Sequence, residues 1–245
     1  MSGRQTSLGL VIPTLGERPL YLIEALHSIR ANQQIHVCIV APKSVIATGI
    51  FDRAQVDQVT VDTGFGLAAA INAGIKSLPS HLKYVSWLGD DDSLVPNCHN
   101  DLAKFFEPGV VAVFGNCNFV DENSDVFWNL RTSQCAVKML SWGPNRVPQP
   151  GSFYLRSALE EIGYLDENLS WAFDQDMFLR LKRIGRVRYV PRTFANFRWH
   201  ADSLSSGGNV NSLLEASQVR RSHAPKALAL PVQLREWLHV KLALA

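Results

Sequence analysis

Short strand-like runs that alternate with stretches of helical spacing constrain this chain more than any other feature. Residues 8–12 are apolar and stopped by Pro13. After the turn Thr14-Leu15-Gly16-Glu17-Arg18, Pro19 is a favoured first helical residue, and Leu22, Ala25, Leu26 and Ile29 recur at helical spacing. Ile35–Ala41 is a second buried-strand pattern ended by Pro42, and residues 58–61 are a third, shorter one. Gly64-Phe65-Gly66 then opens a helical pattern from Leu67 to about Ser77. Residues 84–88 give the fourth strand, with a helix expected over 96–106. Strands alternating with helices at this spacing predict βαβ units, a parallel sheet and right-handed crossovers.

The rhythm changes after an apolar run at 110–114. Residues 116–131 read as irregular strands around a turn at Asp121-Glu122-Asn123. A weak helix over 134–142 is followed by breaks at Pro144, Pro148 and Pro150. Helices are expected over 157–163 and 174–185, and two short strands over 187–190 and 193–198. A Gly/Ser linker at 205–209 precedes two helical stretches. The fold class is therefore α/β, with a nucleotide-type half over about 8–116 and a second half over about 117–206. Together these form one domain, 1–206, with a helical tail over 207–245.

The fourth strand runs directly into Asp90, Asp91 and Asp92. Three adjacent like charges repel, so a cation with oxygen ligands is the natural occupant. In open α/β sheets ligands sit beyond the carboxyl ends of strands, where this cluster stands. The competing reading is a solvated acidic turn that caps the next helix. Gly64-Phe65-Gly66-Leu67-Ala68-Ala69 matches the dinucleotide fingerprint G-x-G-x-x-A, and its bare amides would welcome any diphosphate. It follows the third strand, whereas dinucleotide folds carry it after the first. The acid run also matches a D-x-D phosphatase signature, but Leu94 stands where Thr or Val is wanted.

Trp171-Ala172-Phe173-Asp174-Gln175-Asp176 puts two carboxylates in a first helical turn, where acids commonly complement the dipole. Their apolar surroundings add a second reading, a shielded carboxylate that acts as a general base. His200 after the last strand is either structural or a nitrogen ligand beside a carboxylate-bound metal.

Composition narrows the classes. The chain has 245 residues, 47% of them apolar, so it can bury a full core. A net charge of +2 argues against a nucleic-acid surface. Four cysteines lack C-x-x-C spacing and read as buried thiols of a reducing compartment. The start is polar, residues 8–12 are too short for a signal peptide, and no apolar run reaches membrane-spanning length. A cytoplasmic protein is the expectation.

In order along the chain, these pieces resemble a family-2 glycosyltransferase with the nucleotide-sugar-binding GT-A fold, over residues 8–206. They are Val11-Ile12-Pro13-Thr14-Leu15, Gly66 to Gly74 with Asn72, Leu88 to Asp92, and Gln149-Pro150-Gly151-Ser152-Phe153. Gly163-Tyr164-Leu165-Asp166-Glu167 with the stretch from Asp174 to Arg180, and Arg198-Trp199-His200, complete the set. The resemblance implies that Asp92 holds Mn²⁺ or Mg²⁺ bridging the diphosphate of a nucleotide sugar, with His200 near that metal. It implies donor contacts from Pro13, Thr14, Leu15, Glu17, Gly66, Asn72, Asp90 and Asp91. It places Gln149, Gly151, Trp171 and Asp176 on the acceptor side and makes Asp174 the general base. The expected reaction is inverting transfer of a sugar from a nucleoside-diphosphate sugar, UDP- or dTDP-linked, to a saccharide or lipid-linked hydroxyl. Two departures stand out. Ala41-Pro42 replaces the aspartate that reads a pyrimidine base, and Phe173 replaces an acid before Asp174.

Two other classes compete: an NAD-dependent oxidoreductase, and a domain that holds sugar nucleotides without turnover. The tail at 231–245 has an apolar face centred on Trp237. Burial within the protein is expected for it, by packing or in a homodimer, ahead of a membrane-surface contact.

Overall fold

The computed structural model describes residues 8–32, 34–51, 56–200 and 210–224. The expected second tail helix over 231–245 and the 205–209 linker lie outside these. The chain begins with strand β1 (Leu8–Pro13), helix α1 (Pro19–Ala31), β2 (Ile35–Ala41) and the single turn α2 (Lys43–Ile46). Then come β3 (Gln58–Val61), α3 (Leu67–Ser77), β4 (Tyr84–Trp87), β5 (Ser93–Leu94) and α4 (Leu102–Phe105). The second half holds β6 (Val110–Val120), β7 (Val126–Leu130), α5 (Gln134–Met139), β8 (Phe153–Leu155) and α6 (Arg156–Glu161). It ends with α7 (Phe173–Ile184), β9 (Arg186–Arg198) and α8 (Val210–His223).

All nine strands share one sheet in the order β3-β2-β1-β4-β8-β6-β9-β5, with β7 paired on β6. The first four strands are mutually parallel, as their periodicity predicts. The sheet as a whole is mixed: β8 runs antiparallel to both β4 and β6, while β6 and β9 run parallel. Three details depart from the sequence expectation. The helix at 96–106 shrinks to one turn, because Ser93 and Leu94 pair with Asn196 and Ala195 instead of leading into a helix. The two late strands are one, because the break at Pro191 is absorbed by register shifts along β6. Cys135 is exposed, unlike Cys38, Cys98 and Cys117.

Two apolar cores flank the sheet. Helix α1 buries Leu22, Ala25, Leu26 and Ile29 on one face. Helices α3 and α7 cover the other, with Ile71, Ile75, Met177, Phe178 and Leu181 fully enclosed. Helix α3 sits very close to the strands. A Cβ on Gly74 would lie 2.4 Å from Val11 Cγ1 and 2.8 Å from Val40 Cγ2. Among the described residues no helix is long and apolar enough to cross a membrane.

Candidate active site

Parallel β1 and β4 deliver the site. Leu88 N–H still donates to Val11 O at 3.0 Å, so β4 keeps pairing until Gly89. The next three residues are the aspartates, and each has a distinct setting. Asp90 Oδ2 accepts the Thr14 hydroxyl at 2.6 Å, and Thr14 Oγ1 accepts Gly16 N–H at 3.0 Å. Asp91 Oδ2 meets Arg18 Nη1 at 2.9 Å and His200 Nε2 at 2.9 Å. Asp92 is buried, and its Oδ1 accepts the Arg198 backbone N–H at 3.0 Å.

Arg198 holds this turn from beneath. Its side chain is 1% exposed, donating to Asp91 O at 2.9 Å, Asp121 O at 2.9 Å and Glu24 Oε2 at 2.7 Å. Its guanidinium also lies 4.4 Å from the Tyr21 ring centroid. The acid turn is therefore built by β4 and β9 together and does not cap a helix.

Burial raises the pKa of Asp90 above the ordinary carboxylate range, opposed by the Thr14 hydrogen bond. Burial first, then the Asp91 charge, pushes Asp92 up strongly. Both shifts disfavour the charged carboxylates in the cation-free turn. A Cβ on Gly89 would fall 2.6 Å from Asp91 Oδ1 and 3.0 Å from Asp92 Oδ2, so two carboxylate oxygens share a space that only glycine leaves open. Paired hard oxygens suit Mg²⁺ or Mn²⁺ completed by phosphate oxygens. His200 stands on Asp91, the neighbour of Asp92 in the chain. Among the described residues no group of three or more His, Cys, Asp or Glu is arranged as a ready metal cage.

The second carboxylate of interest opens α7. Asp174 Oδ1 accepts Gln175 N–H at 2.7 Å and Oδ2 accepts Asn145 Nδ2 at 3.1 Å. Burial pushes its pKa up to about 6, against those hydrogen bonds. Gln149 Nε2 donates to Trp87 O at 3.0 Å, and Tyr154 stacks on Trp87 with ring centroids 5.1 Å apart. Gly151 has φ +75°, and its missing Cβ lets β9 pass at Phe194 and Ala195. Trp171 is half-buried just before α7. Phe173 is an enclosed core residue, so the position before Asp174 anchors the helix.

Other expected site residues are placed differently. Asn72 is buried and fully used: it donates to Leu165 O at 2.9 Å and Glu167 Oε1 at 2.8 Å, and accepts Leu165 N–H at 3.0 Å. Asp176 Oδ2 accepts Arg180 Nε at 2.7 Å, and its Oδ1 lies 2.8 Å from His223 Nε2. Burial pushes the Asp176 carboxyl up, but the bonds and charges of His223 and Arg180 outweigh it and hold the pKa below the usual value. Asn72, Asp176 and Arg180 line a separate cavity of about 430 Å³ whose lining includes none of the three aspartates. Asn72 ties α3 to the 165–167 loop, and Asp176 ties α7 to α8 through His223. Leu15 and Glu17 are exposed, Pro13 is half-buried, and Gly66 has open space around its Cα at φ +96°.

Sequence reasoning missed Arg18, Asn145 and Glu215, and gave Arg198 no role of its own. Arg18 carried a signal, an arginine one turn from the first strand's end. The others reach their partners only through the fold.

A curled α/β sheet with an acid turn at the carboxyl end of its central parallel strand defines the class, a GT-A glycosyltransferase fold. The family model described as Glycosyl transferase family 2 matches residues 10–163, and the chain belongs to that family. Among solved structures, S. aureus TarS 1–349 in complex with UDP-GlcNAc superposes with a TM-score of 0.65 at 14% identity, covering 89% of this chain and 66% of that one. The mannosyltransferase PcManGT from Pyrobaculum calidifontis, in complex with GDP-Man and Mn²⁺, gives 0.61 at 16% identity, covering 99% and 73%. Among curated relatives, an uncharacterized glycosyltransferase of Rickettsia bellii is 22% identical over 74% of this chain and 28% of its own length. One of Rickettsia prowazekii is 27% identical over 56% of this chain and 45% of its own. The chain thus spans less than half the length of these two relatives.

Proposed function

We propose that this chain transfers a sugar from a nucleoside-diphosphate sugar to an acceptor hydroxyl, with inversion at the anomeric carbon and with a divalent cation bound. The observation that carries the reading is the acid turn at 90–92, braced from four sides by Thr14, Arg18, His200 and Arg198. Asp91 and Asp92 would hold the cation through the oxygens above Gly89. When bound, the cation supplies Lewis-acid stabilisation of charge on the departing diphosphate.

The protein does the rest. Asp90, fixed by Thr14, is set to contact the donor beside the end of β1. Arg18 and His200 orient Asp91. Asp174, with a pKa near 6, is ionised at neutral pH yet basic enough to take the proton of the attacking hydroxyl. One base opposite the leaving group gives a single displacement, hence inversion. Gln149 and Trp171 supply acceptor-side surface. The solved neighbours hold UDP-GlcNAc in one case and GDP-Man in another. UDP- and dTDP-sugars are the donors that the resemblance favours, but Ala41-Pro42 at the end of β2 lacks the aspartate that would read a pyrimidine, so GDP-sugars are tested beside them. The acceptor would be a saccharide or a lipid-linked hydroxyl, and the reaction would be cytoplasmic.

The test is a panel of UDP-, dTDP- and GDP-sugars with Mn²⁺, followed for nucleoside diphosphate release and product anomer. Mn²⁺-dependent release from one donor with an inverted product supports the reading. Binding of every donor without release would leave a sugar-nucleotide-binding domain instead.

A further inference from the structure

Helix α8 reaches back across the chain to the start of α7. Glu215 Oε1 accepts Trp171 N–H at 2.7 Å and Ala172 N–H at 2.6 Å, while Oε2 accepts Ser170 N–H at 2.9 Å. A helix N-terminus leaves N–H groups without intrahelical partners. Here the cap residue of α7, Ala172, makes no side-chain cap bond, and its own N–H is held by a carboxylate 43 residues away. Farther along the same helix, His223 lies on Asp176 Oδ1 at 2.8 Å. Between these two grips sits Asp174, two residues beyond the clamped cap.

Asp174 is itself an acid in a first helical turn, where such residues ordinarily serve as caps. Its bonds are to Gln175 N–H and Asn145, and it takes none of the three N–H groups that Glu215 takes. We infer that Glu215 is the positioning residue for Asp174: it gathers the three amides that lead into α7 and fixes the backbone from which the base projects. The inference rests on the proposed role of Asp174. Glu215 touches no donor or acceptor and acts only through residues 170–174. A Gln at 215 keeps one carbonyl oxygen for the Trp171 and Ala172 amides, whereas Ala keeps nothing.

The test uses the full chain and two independent readouts. Amide hydrogen exchange is followed at 170–172 in wild type, Glu215→Ala and Glu215→Gln. Mn²⁺-dependent nucleotide release is measured with the donor that the wild type turns over. The expected result for Glu215→Ala is exchange at least tenfold faster at 170–172 and unchanged in β1 and β4. Its kcat should fall tenfold or more with the donor KM within twofold, and Glu215→Gln should recover both readouts to within about threefold. Unchanged local exchange overturns the inference, and so does an unchanged kcat with a loosened cap. Parallel loss of kcat, donor affinity and melting temperature also overturns it, since that is a structural role alone. A wild type that releases no nucleotide from any donor, while the exchange result holds, refutes the transferase reading and leaves the clamp in place.

Discussion

At the scale of single residues, Asp92 and Asp174 carry the sharpest expectations. Asp92→Asn keeps an oxygen for the Arg198 N–H and removes a buried charge from a repulsive cluster. The cation-free variant should therefore melt no lower than wild type, while Mn²⁺-dependent UDP binding is lost in titration calorimetry. A marked fall in cation-free stability would mean that the carboxylate is structural. The Asp174 carboxyl has an ordinary value of 3.8 and is raised to about 6 in the fold. The native state then binds more protons between those values, so this group's contribution to stability falls as pH rises through that window. Catalysis runs the other way, because a base must be ionised: kcat should drop as pH falls below about 6. Asp174→Asn should cut kcat by roughly 10²–10⁴ and leave donor affinity intact. Weakened donor binding with a near-normal rate would remove the base role. At this scale the acids were legible because three adjacent carboxylates are unusual in any sequence. Their partners were not: Arg198 and Glu215 are ordinary surface-type residues until the fold brings them across 106 and 43 residues.

At the scale of elements, local periodicity revealed the strands of the first half, because β1, β2 and β4 are buried on both faces and read as nearly solid apolar runs, while the edge strand β3 alternates. It failed where pairing partners decide. Ser93 and Leu94 look like the approach to a helix, and become a strand only because β9 is there to pair with them. The 186–198 segment looks broken at Pro191, yet β6 follows it across shifted registers. Gly74 shows the same division between pattern and cause. In sequence it is one small residue in a helical motif. In the fold it is where α3 meets Val11 and Val40. Gly→Ala inside a helix ordinarily gains about 1 kcal/mol of propensity. Here the added methyl must displace β-branched core residues, and overpacking costs typically about 1–3 kcal/mol. Gly74→Ala should therefore be neutral or destabilising in urea unfolding, never stabilising. A gain near 1 kcal/mol would show that the helix–sheet spacing has slack.

At the scale of the whole molecule, the two halves inferred from the sequence meet in one sheet, and the joint is the three-residue strand β8. It pairs with β4 on one side and β6 on the other, so the hydrogen-bond ladder crosses the boundary near residue 116 without a gap. Its central residue, Tyr154, is fully buried, stacks on Trp87 from the first half and lies 5.8 Å from the Phe178 ring of α7. A break at β8 would expose core on both sides, so the halves should unfold together. Tyr154→Ala should cost about 3–5 kcal/mol, the usual range for emptying an aromatic core site. It should shift the whole transition and not split it. The Tyr154 hydroxyl has no hydrogen-bond partner among the described residues, so Tyr154→Phe should be nearly neutral or slightly stabilising. The check is urea unfolding followed by far-ultraviolet circular dichroism and by tryptophan fluorescence, on wild type and both variants. Coincident transitions that move together in Tyr154→Ala mark one cooperative unit. Two separated transitions would mean that the nucleotide-type half holds its fold alone, and that the shared sheet is a contact between two units.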